Sequence, residues 1–335
     1  MRRQAPPAVL TRIALAAWCV AAACGQEAPG SGTDGFGTDG SGTDGSRARA
    51  GSAAGSARPS DAARPGDSAG PPDSIRVVDA AGREWVLPRP ARRVVSLVPS
   101  ASASLHAMGA EWVLVGRTDF DTDAWAAGLP SVGGGIEPNL EAIAALEPDV
   151  VVRFAGPQDP RTPARLDELG IPHVAVRPDR IADIYTTNAV LGRVTGHERE
   201  ADSLNATIRA GLRKLTGATR GLRPVRVAFV LGGSPPWVAG PGTYIDEVIR
   251  LVGGVNVFAD LDALYAAVSP EELRTRRIDV VIVSRRGAYD TSLTPGARVE
   301  EVGDALELPG PGVVEAARRV AELLHGDLPD ADASG

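Results

Sequence analysis

From residue 75 onward the chain alternates between two hydrophobic periods. Short runs rich in β-branched residues, Arg93–Val98, Val150–Phe154, Val174–Val176, Val225–Leu231 and Val280–Ser284, read as buried strands. Between them lie segments of helical character: Pro99–Met108, Asn139 onward, Thr162–Leu169 closed by Gly170, Tyr244–Leu251, Ser269 onward and Val313–Leu324. Ile75–Asp79, a turn at 80–82 and Arg83–Leu87 predict an opening hairpin, and Glu111–Gly116 a further strand. Such alternation predicts an α/β fold with parallel sheets covered on both faces. Ile181–Thr195 and His197–Leu215 form one long helical stretch, with Leu204, Ile208, Leu212 and Leu215 at helical spacing for a buried stripe. The pattern therefore predicts two βα lobes, 75–180 and 220–326, joined by a single long helical backbone over 181–219, with a disordered tail at 327–335. A lone helical spine resists hinge closure and implies a shallow, preformed cleft. Its rims are set by the carboxyl ends of the strands, at Val98–Ser100, Arg117–Asp123, Phe154–Gly156, Gly232–Trp237 and Ser284–Arg286.

One pattern occurs twice. Asn139-Leu-Glu141 leads to Asp149-Val-Val-Val, and Ser269-Pro-Glu271 leads to Asp279-Val-Val-Ile. Each is a helix N-cap, an acid in the first turn where the helix dipole favours it, a short helix, and a strand opening on Asp. A first-turn Glu alone stabilises its helix and signals nothing more. Two at one register, with Asp149 and Asp279 in phase, read as matched outward acids on similar lobes, a device for docking.

The first 74 residues belong to neither lobe. Arg2, Arg3 and Arg12 precede the uncharged apolar run Ile13–Ala23, a secretory signal over 1–24 that is too short for a comfortable span. It ends Val20-Ala-Ala-Ala23-Cys24, which resembles a bacterial lipobox and makes Cys24 the candidate for lipid modification, with Ala21 standing where Leu is usual. Residues 25–74 are Gly, Ser, Ala, Asp and Pro, with Gly-Thr-Asp-Gly recurring three times. That composition cannot bury enough surface to order itself. As a flexible chain it reaches roughly 40 Å, at about 5–6 Å × √n, and reads as a tether to a membrane. The expected location is extracytoplasmic, in the periplasm or at the cell surface. The two cysteines, Cys19 and Cys24, lie before the folded part and cannot staple it.

The 335 residues carry a formal charge of −7, which offers no footprint for nucleic acid. His106, His173, His197 and His325 are widely spaced and show no metal-ligand pattern, which argues against a direct metal-ion carrier. Gly133-Gly-Gly135 lacks the Lys of a phosphate loop, and Gly232-Gly233-Ser234 lacks the frame of a nucleophile elbow. No catalytic set emerges, so a binder is expected rather than an enzyme, without a cofactor. Phe120, Trp237 and Tyr265 fall on predicted loops at the rim, where flat rings stack on a macrocycle or chelate, whereas Trp125 and Phe258 read as core. Arg285, Arg286 and Arg153 at strand ends are candidates for holding an anionic ligand, against the commoner solvated role. Ser100, following the first central strand, joins the candidate ligand set.

These residues resemble the helical-backbone substrate-binding proteins of ABC importers, which carry cobalamin, haem and ferric siderophores. The resemblance rests on Arg93-Val-Val-Ser-Leu-Val-Pro-Ser100, on Val132-Gly-Gly through Asn139-Leu-Glu141 to Glu147-Pro-Asp149, and on Val268-Ser-Pro-Glu271. It covers nearly all of 75–325, and Ser234-Pro-Pro-Trp237 with Leu251-Val-Gly-Gly254-Val-Asn256 is most similar to the cobalamin branch. It implies delivery of a metal chelate to a permease dimer with its ATPase, Glu141 and Glu271 engaging permease arginines. Departures from the family pattern are Ser102-Ala103 where Thr-Glu is usual, Asp119–Asp123 in place of a Tyr-rich loop, and Gly135 in place of an aromatic. A sensor or adhesin module on the same fold is the alternative role.

Overall fold

The computed structural model describes residues 74–328 apart from 157, 158, 286, 288 and 307. The signal segment with Cys24, the tether up to residue 73, Arg286 and the residues after 328 lie outside the described residues.

The chain opens with the antiparallel hairpin β1 (Ile75–Val78) and β2 (Glu84–Leu87). Asp79 closes its turn: one carboxylate oxygen accepts from the backbone N–H of Ala81 and Arg83, both at 2.9 Å. The N lobe then runs β3 (Val94–Ser96), α1 (Pro99–Ala107), β4 (Leu114–Gly116), α2 (Leu140–Ala145), β5 (Val150–Phe154), α3 (Arg161–Glu168) and β6 (His173–Val176). Its sheet has the order β4-β3-β5-β6, every pair parallel. Alternate residues of β3 and β5 enter two separate cores. Val94, Val150 and Val152 face α1, while Val95 and Val151 face Ile143 and Leu166 of α2 and α3. The strand expected over Glu111–Gly116 is a single 3-10 turn at Glu111–Val113 followed by the three residues of β4.

The single long connecting helix is corrected to two. α4 (Ile181–Thr195) ends at Gly196, whose φ of 77° is a left-handed conformation that glycine adopts without a Cβ penalty, and α5 (Glu198–Thr219) folds back along it. Their antiparallel register is visible in Asn188 Nδ2, which donates to Asn205 Oδ1 at 2.9 Å, and in the facing of Gly192 by Ala201. α4 begins against the C lobe, where Tyr244 N donates to Asp179 O at 2.9 Å and Ile181 N to Glu247 Oε2 at 2.7 Å. It ends against the N lobe, where Ala91 N donates to Val194 O at 2.8 Å, and α5 then returns.

The C lobe comprises β7 (Val225–Gly232), β8 (Trp237–Ala239), α6 (Tyr244–Leu251), β9 (Gly254–Asn256), β10 (Tyr265–Ala267), α7 (Pro270–Thr275), β11 (Val280–Val283), β12 (Arg298–Glu301) and α8 (Val313–His325). Its sheet has the order β10-β8-β7-β11-β12, with β9 also paired to β7. The expectation of parallel sheets in both lobes is corrected here: β9, β11 and β12 run parallel to their neighbours, but β8 is antiparallel to both β7 and β10. β8, β9 and β10 escape the apolar-run criterion because they are three residues long and carry Gly, Ala and Asn.

Candidate functional site

The repeated acid motif forms the same object in both lobes. Asn139 Oδ1 caps α2 by accepting from Ala142 N at 3.0 Å, and Ser269 Oγ caps α7 by accepting from Glu272 N at 3.1 Å. Two residues past each acid, Ile143 and Leu273 anchor the helix in the core, 0% and 1% exposed. Glu141 and Glu271 are both exposed, and Glu271 has one neighbour on its own helix, Arg274 at 3.7 Å. A surface pair at that distance contributes about 0–1 kcal/mol, so it does not commit the carboxylate.

Asp149 and Asp279, in phase with the two acids, have a structural role. Asp149 Oδ2 accepts from the backbone N–H of Arg92 and Arg93 at 2.8 and 3.0 Å, and Asp279 Oδ2 from Arg226 N at 2.9 Å. They bind their own lobes. Their in-phase spacing reflects a shared structural joint between strands, not a second pair of docking acids.

At the carboxyl ends of the strands the aromatic candidates come together in part. Trp237 and Tyr265 were expected on loops, but Trp237 opens β8 and Tyr265 opens β10. Trp237 pairs with Ala267 and Ala239 with Tyr265, so the two rings belong to one face of the ladder as diagonal neighbours. Both are half-buried. Burial, and then the charge of Asp179 from the crossing segment, pushes the Tyr265 phenol up from its ordinary range. Tyr244, buried on α6, is raised by burial and by Tyr265, and its hydroxyl has no hydrogen-bond partner among the described residues. Neither Tyr244 nor Phe154, the half-buried ring ending β5, was identified from sequence, because each sits inside a regular element with no local signal of function.

Phe120 is half-buried on the loop after β4, as expected. That loop is braced from within: Asp121 Oδ2 accepts from Thr118 N at 2.9 Å and Oγ1 at 2.6 Å, and Asp119 Oδ1 from Ser131 Oγ at 2.5 Å. Gly135 is required by packing. A methyl there would overlap the Leu97 carbonyl and come within 2.9 Å of Phe154 Cε2, so the ring of Phe154 already fills the space beside it.

Two polar candidates, Ser100 and Arg153, are placed differently from expectation. Ser100 is buried, and a methyl on Gly310 of the C lobe would lie 3.3 Å from its Cβ, so it sits where the lobes meet rather than on an open rim. Arg153 is committed within the N lobe, where Nε donates to His173 Nδ1 at 2.9 Å and Nη1 to Phe154 O at 2.9 Å. Arg285 is exposed, and Arg286 lies outside the described residues. His173 is fully buried, with Nε2 3.3 Å from Asp167 and its ring edge-on to Trp85. Burial, and then the Arg153 charge, lowers its pKa from the ordinary value. Phe258 is core, as read, and Trp125, half-buried, packs against the N-lobe core and stacks on His106 at 4.5 Å. Among the described residues no group of three His, Cys, Asp or Glu side chains is placed to hold a metal ion.

The family description for periplasmic binding proteins matches residues 94–302. The chain belongs to the periplasmic binding protein family. A vitamin B12-binding protein of Vibrio cholerae is 29% identical to this binding protein over 259 residues, covering 71% of this chain and 90% of the relative. Another from Yersinia pestis is 30% identical over 195 residues, covering 58% and 70% respectively. The crystal structure of the periplasmic vitamin B12-binding protein of Vibrio cholerae superposes with a TM-score of 0.62 at 24% identity, covering 69% of this chain and 96% of that one. The periplasmic heme-binding protein of the same organism gives 0.62 at 23%, covering 70% and 98%. These likenesses bear out the two-lobed α/β fold, and membership makes the chain a binding protein rather than an enzyme. No helix among the described residues is long and apolar enough to cross a membrane.

Proposed function

We propose that this protein is the extracytoplasmic capture subunit of an ABC importer for a metal chelate, foremost a corrinoid, with haem or a ferric siderophore as the other members of that class. The reading is carried by the pair of exposed acids, Glu141 and Glu271, borne on equivalent helix–strand units of the two lobes. A permease dimer presents two equivalent surfaces, and lobes built alike supply one contact to each. Trp237 and Tyr265 form the aromatic platform of the C lobe, Phe120 is the candidate ring of the N lobe, and Arg285 meets any acidic group of the ligand; Ser100 supports the inter-lobe floor. Lipid on Cys24, with residues 25–74 as the tether, keeps the carrier at the membrane. The vitamin B12-binding relatives support the corrinoid choice.

Two measurements test this reading. Calorimetric titration against cobalamin, cobinamide, haemin and a set of ferric siderophores should give one saturating response, and silence across the panel removes the ligand assignment. Glu141→Arg and Glu271→Arg should each cripple uptake with ligand affinity and Tm unchanged, because interfacial charge pairs couple by ~1.5–7 kcal/mol while exposed acids add little to a fold. Normal transport by both variants reduces the acids to helix stabilisers.

A further inference from the structure

The two acid-bearing helices are held by equivalent joints that share three hydrogen bonds. In the N lobe Asp149 Oδ2 takes the backbone N–H of Arg93, Asp149 N donates to Arg93 O at 2.8 Å, and Arg93 Nε donates to the carbonyl of Glu147 at 3.0 Å. In the C lobe Asp279 Oδ2 takes Arg226 N, Asp279 N donates to Arg226 O at 2.9 Å, and Arg226 Nε donates to the carbonyl of Arg277 at 2.7 Å. In each case the guanidinium bonds the residue two before the Asp. The residues after Arg and Asp are also paired alike, Val94 with Val150 and Val227 with Val280, in parallel register.

The N-lobe joint carries three further bonds: Arg92 N donates to the same Asp149 Oδ2 at 2.8 Å, Arg93 Nη2 to Leu146 O at 2.6 Å, and Arg89 Nη2 to Asp149 Oδ1 at 3.1 Å. The side-chain bonds of each arginine grip the short segment between the acid helix and its strand. α2 and α7 have six residues each, a length at which a helix has little rigidity of its own. Its direction is set by its buried anchor, Ile143 or Leu273, and by what fixes its carboxyl end. The joint supplies the second point, and two points define an axis.

We infer that Arg93–Asp149 and Arg226–Asp279 are positioning pairs that fix the directions of the two acid helices, and so the span between Glu141 and Glu271 that a two-fold partner must match. This rests on the docking role of the two acids given above. It assigns the matched Asp residues a reason to repeat that the sheet alone does not require, since strand pairing needs no side chain.

The geometry predicts which substitution keeps the joint. Both backbone donors in the N lobe converge on one carboxylate oxygen, so an amide, which keeps one acceptor oxygen, can serve, whereas a methyl cannot. The test uses the full mature chain with Ala145→Cys and Thr275→Cys, exposed positions four residues past each acid, carrying nitroxide labels, and Cys24 changed to serine. Distance distributions from double electron–electron resonance should broaden or shift in Asp149→Ala and Asp279→Ala, and return to the parent distribution in Asp149→Asn and Asp279→Asn. In permease proteoliposomes the half-saturating concentration of loaded carrier should rise about tenfold for the Ala variants and stay near parent for the Asn variants, with affinity for the chelate, followed by its visible absorption, unchanged. Unaltered distance distributions in both Ala variants overturn the inference. Broadened distributions with normal transport leave the joints standing and remove the docking role of the acids instead.

Discussion

The two lobes agree where they carry their acids and differ around the aromatic side chains proposed to meet a ligand. α2–β5 and α7–β11 share cap, anchor, acid and joint at identical spacing. Around the candidate aromatic residues the N lobe is wholly parallel and offers Phe120 on a braced loop and Phe154 at the end of β5, while the C lobe inserts the β8 hairpin and β10 and presents Trp237 and Tyr265 on a strand ladder. On the proposed docking role, the face that would fit a symmetric partner is the same in both halves, and the face that would fit an asymmetric small molecule differs between them. The symmetry of each surface then follows the symmetry of its proposed partner.

The comparison can be broken most severely at the helix anchors. Ile143→Ala and Leu273→Ala each delete a buried side chain from an equivalent place, and each should cost about 2–5 kcal/mol by denaturant titration. Costs that differ by more than that spread would mean the units are alike only in backbone. Gly192 belongs to neither lobe but to the contact between α4 and α5. A methyl there would lie 2.6 Å from Ala201 Cβ and 3.0 Å from His197 O, so Gly192→Ala should destabilise by about 1–3 kcal/mol, read as a lower denaturant midpoint. An unchanged midpoint would show that the helices can spread without loss.

His173 sharpens the contrast because its surroundings, Arg153, Asp167, Arg83, Trp85 and Asp79, are a feature of the N lobe. Its folded pKa lies below the ordinary histidine value, so the unfolded chain takes up a proton first as pH falls. Stability from this group is full above about pH 6.5 and declines as pH drops toward the folded pKa. His173→Gln should flatten the denaturant midpoint between pH 7 and 5, and an identical slope in the variant would place the pH dependence elsewhere. The smallest effect belongs to the C-lobe platform. Trp237→Ala should weaken chelate binding several-fold to about tenfold, at about 0.5–1.5 kcal/mol per stacked ring beyond area burial, with no change in Tm. Equal affinity would move the ligand off the β8–β10 ladder.

Much of this was legible in the chain. The buried strands Val94–Ser96, Val150–Phe154 and Val280–Val283 announce themselves by unbroken β-branched runs, and the caps at Asn139 and Ser269 by residue type. What was not legible has physical causes. β8, β9 and β10 are held by neighbours rather than by their own composition, so a local reading passes over them. Gly196 was a stop signal, followed by Glu198 and Glu200 in a new first turn, yet the apolar stripe running across it favoured one helix over two. The fate of Asp149 and Arg153 depended on partners 56 and 20 residues away, which no spacing rule reaches.

The folded-back pair α4 and α5 has a consequence for how the protein is lost as well as how it is held. Ile184, Ile208, Leu212 and Leu215 lie in the core of the C lobe, while Val190, Leu191, Val194 and Ala201, from the same two helices, lie in that of the N lobe. Neither lobe owns a complete interior, so neither can melt while the other survives. Heating should give one calorimetric transition whose van't Hoff and measured enthalpies agree, although the outline suggests two. A periplasmic binding protein built this way then has no half-open form for a protease to cut.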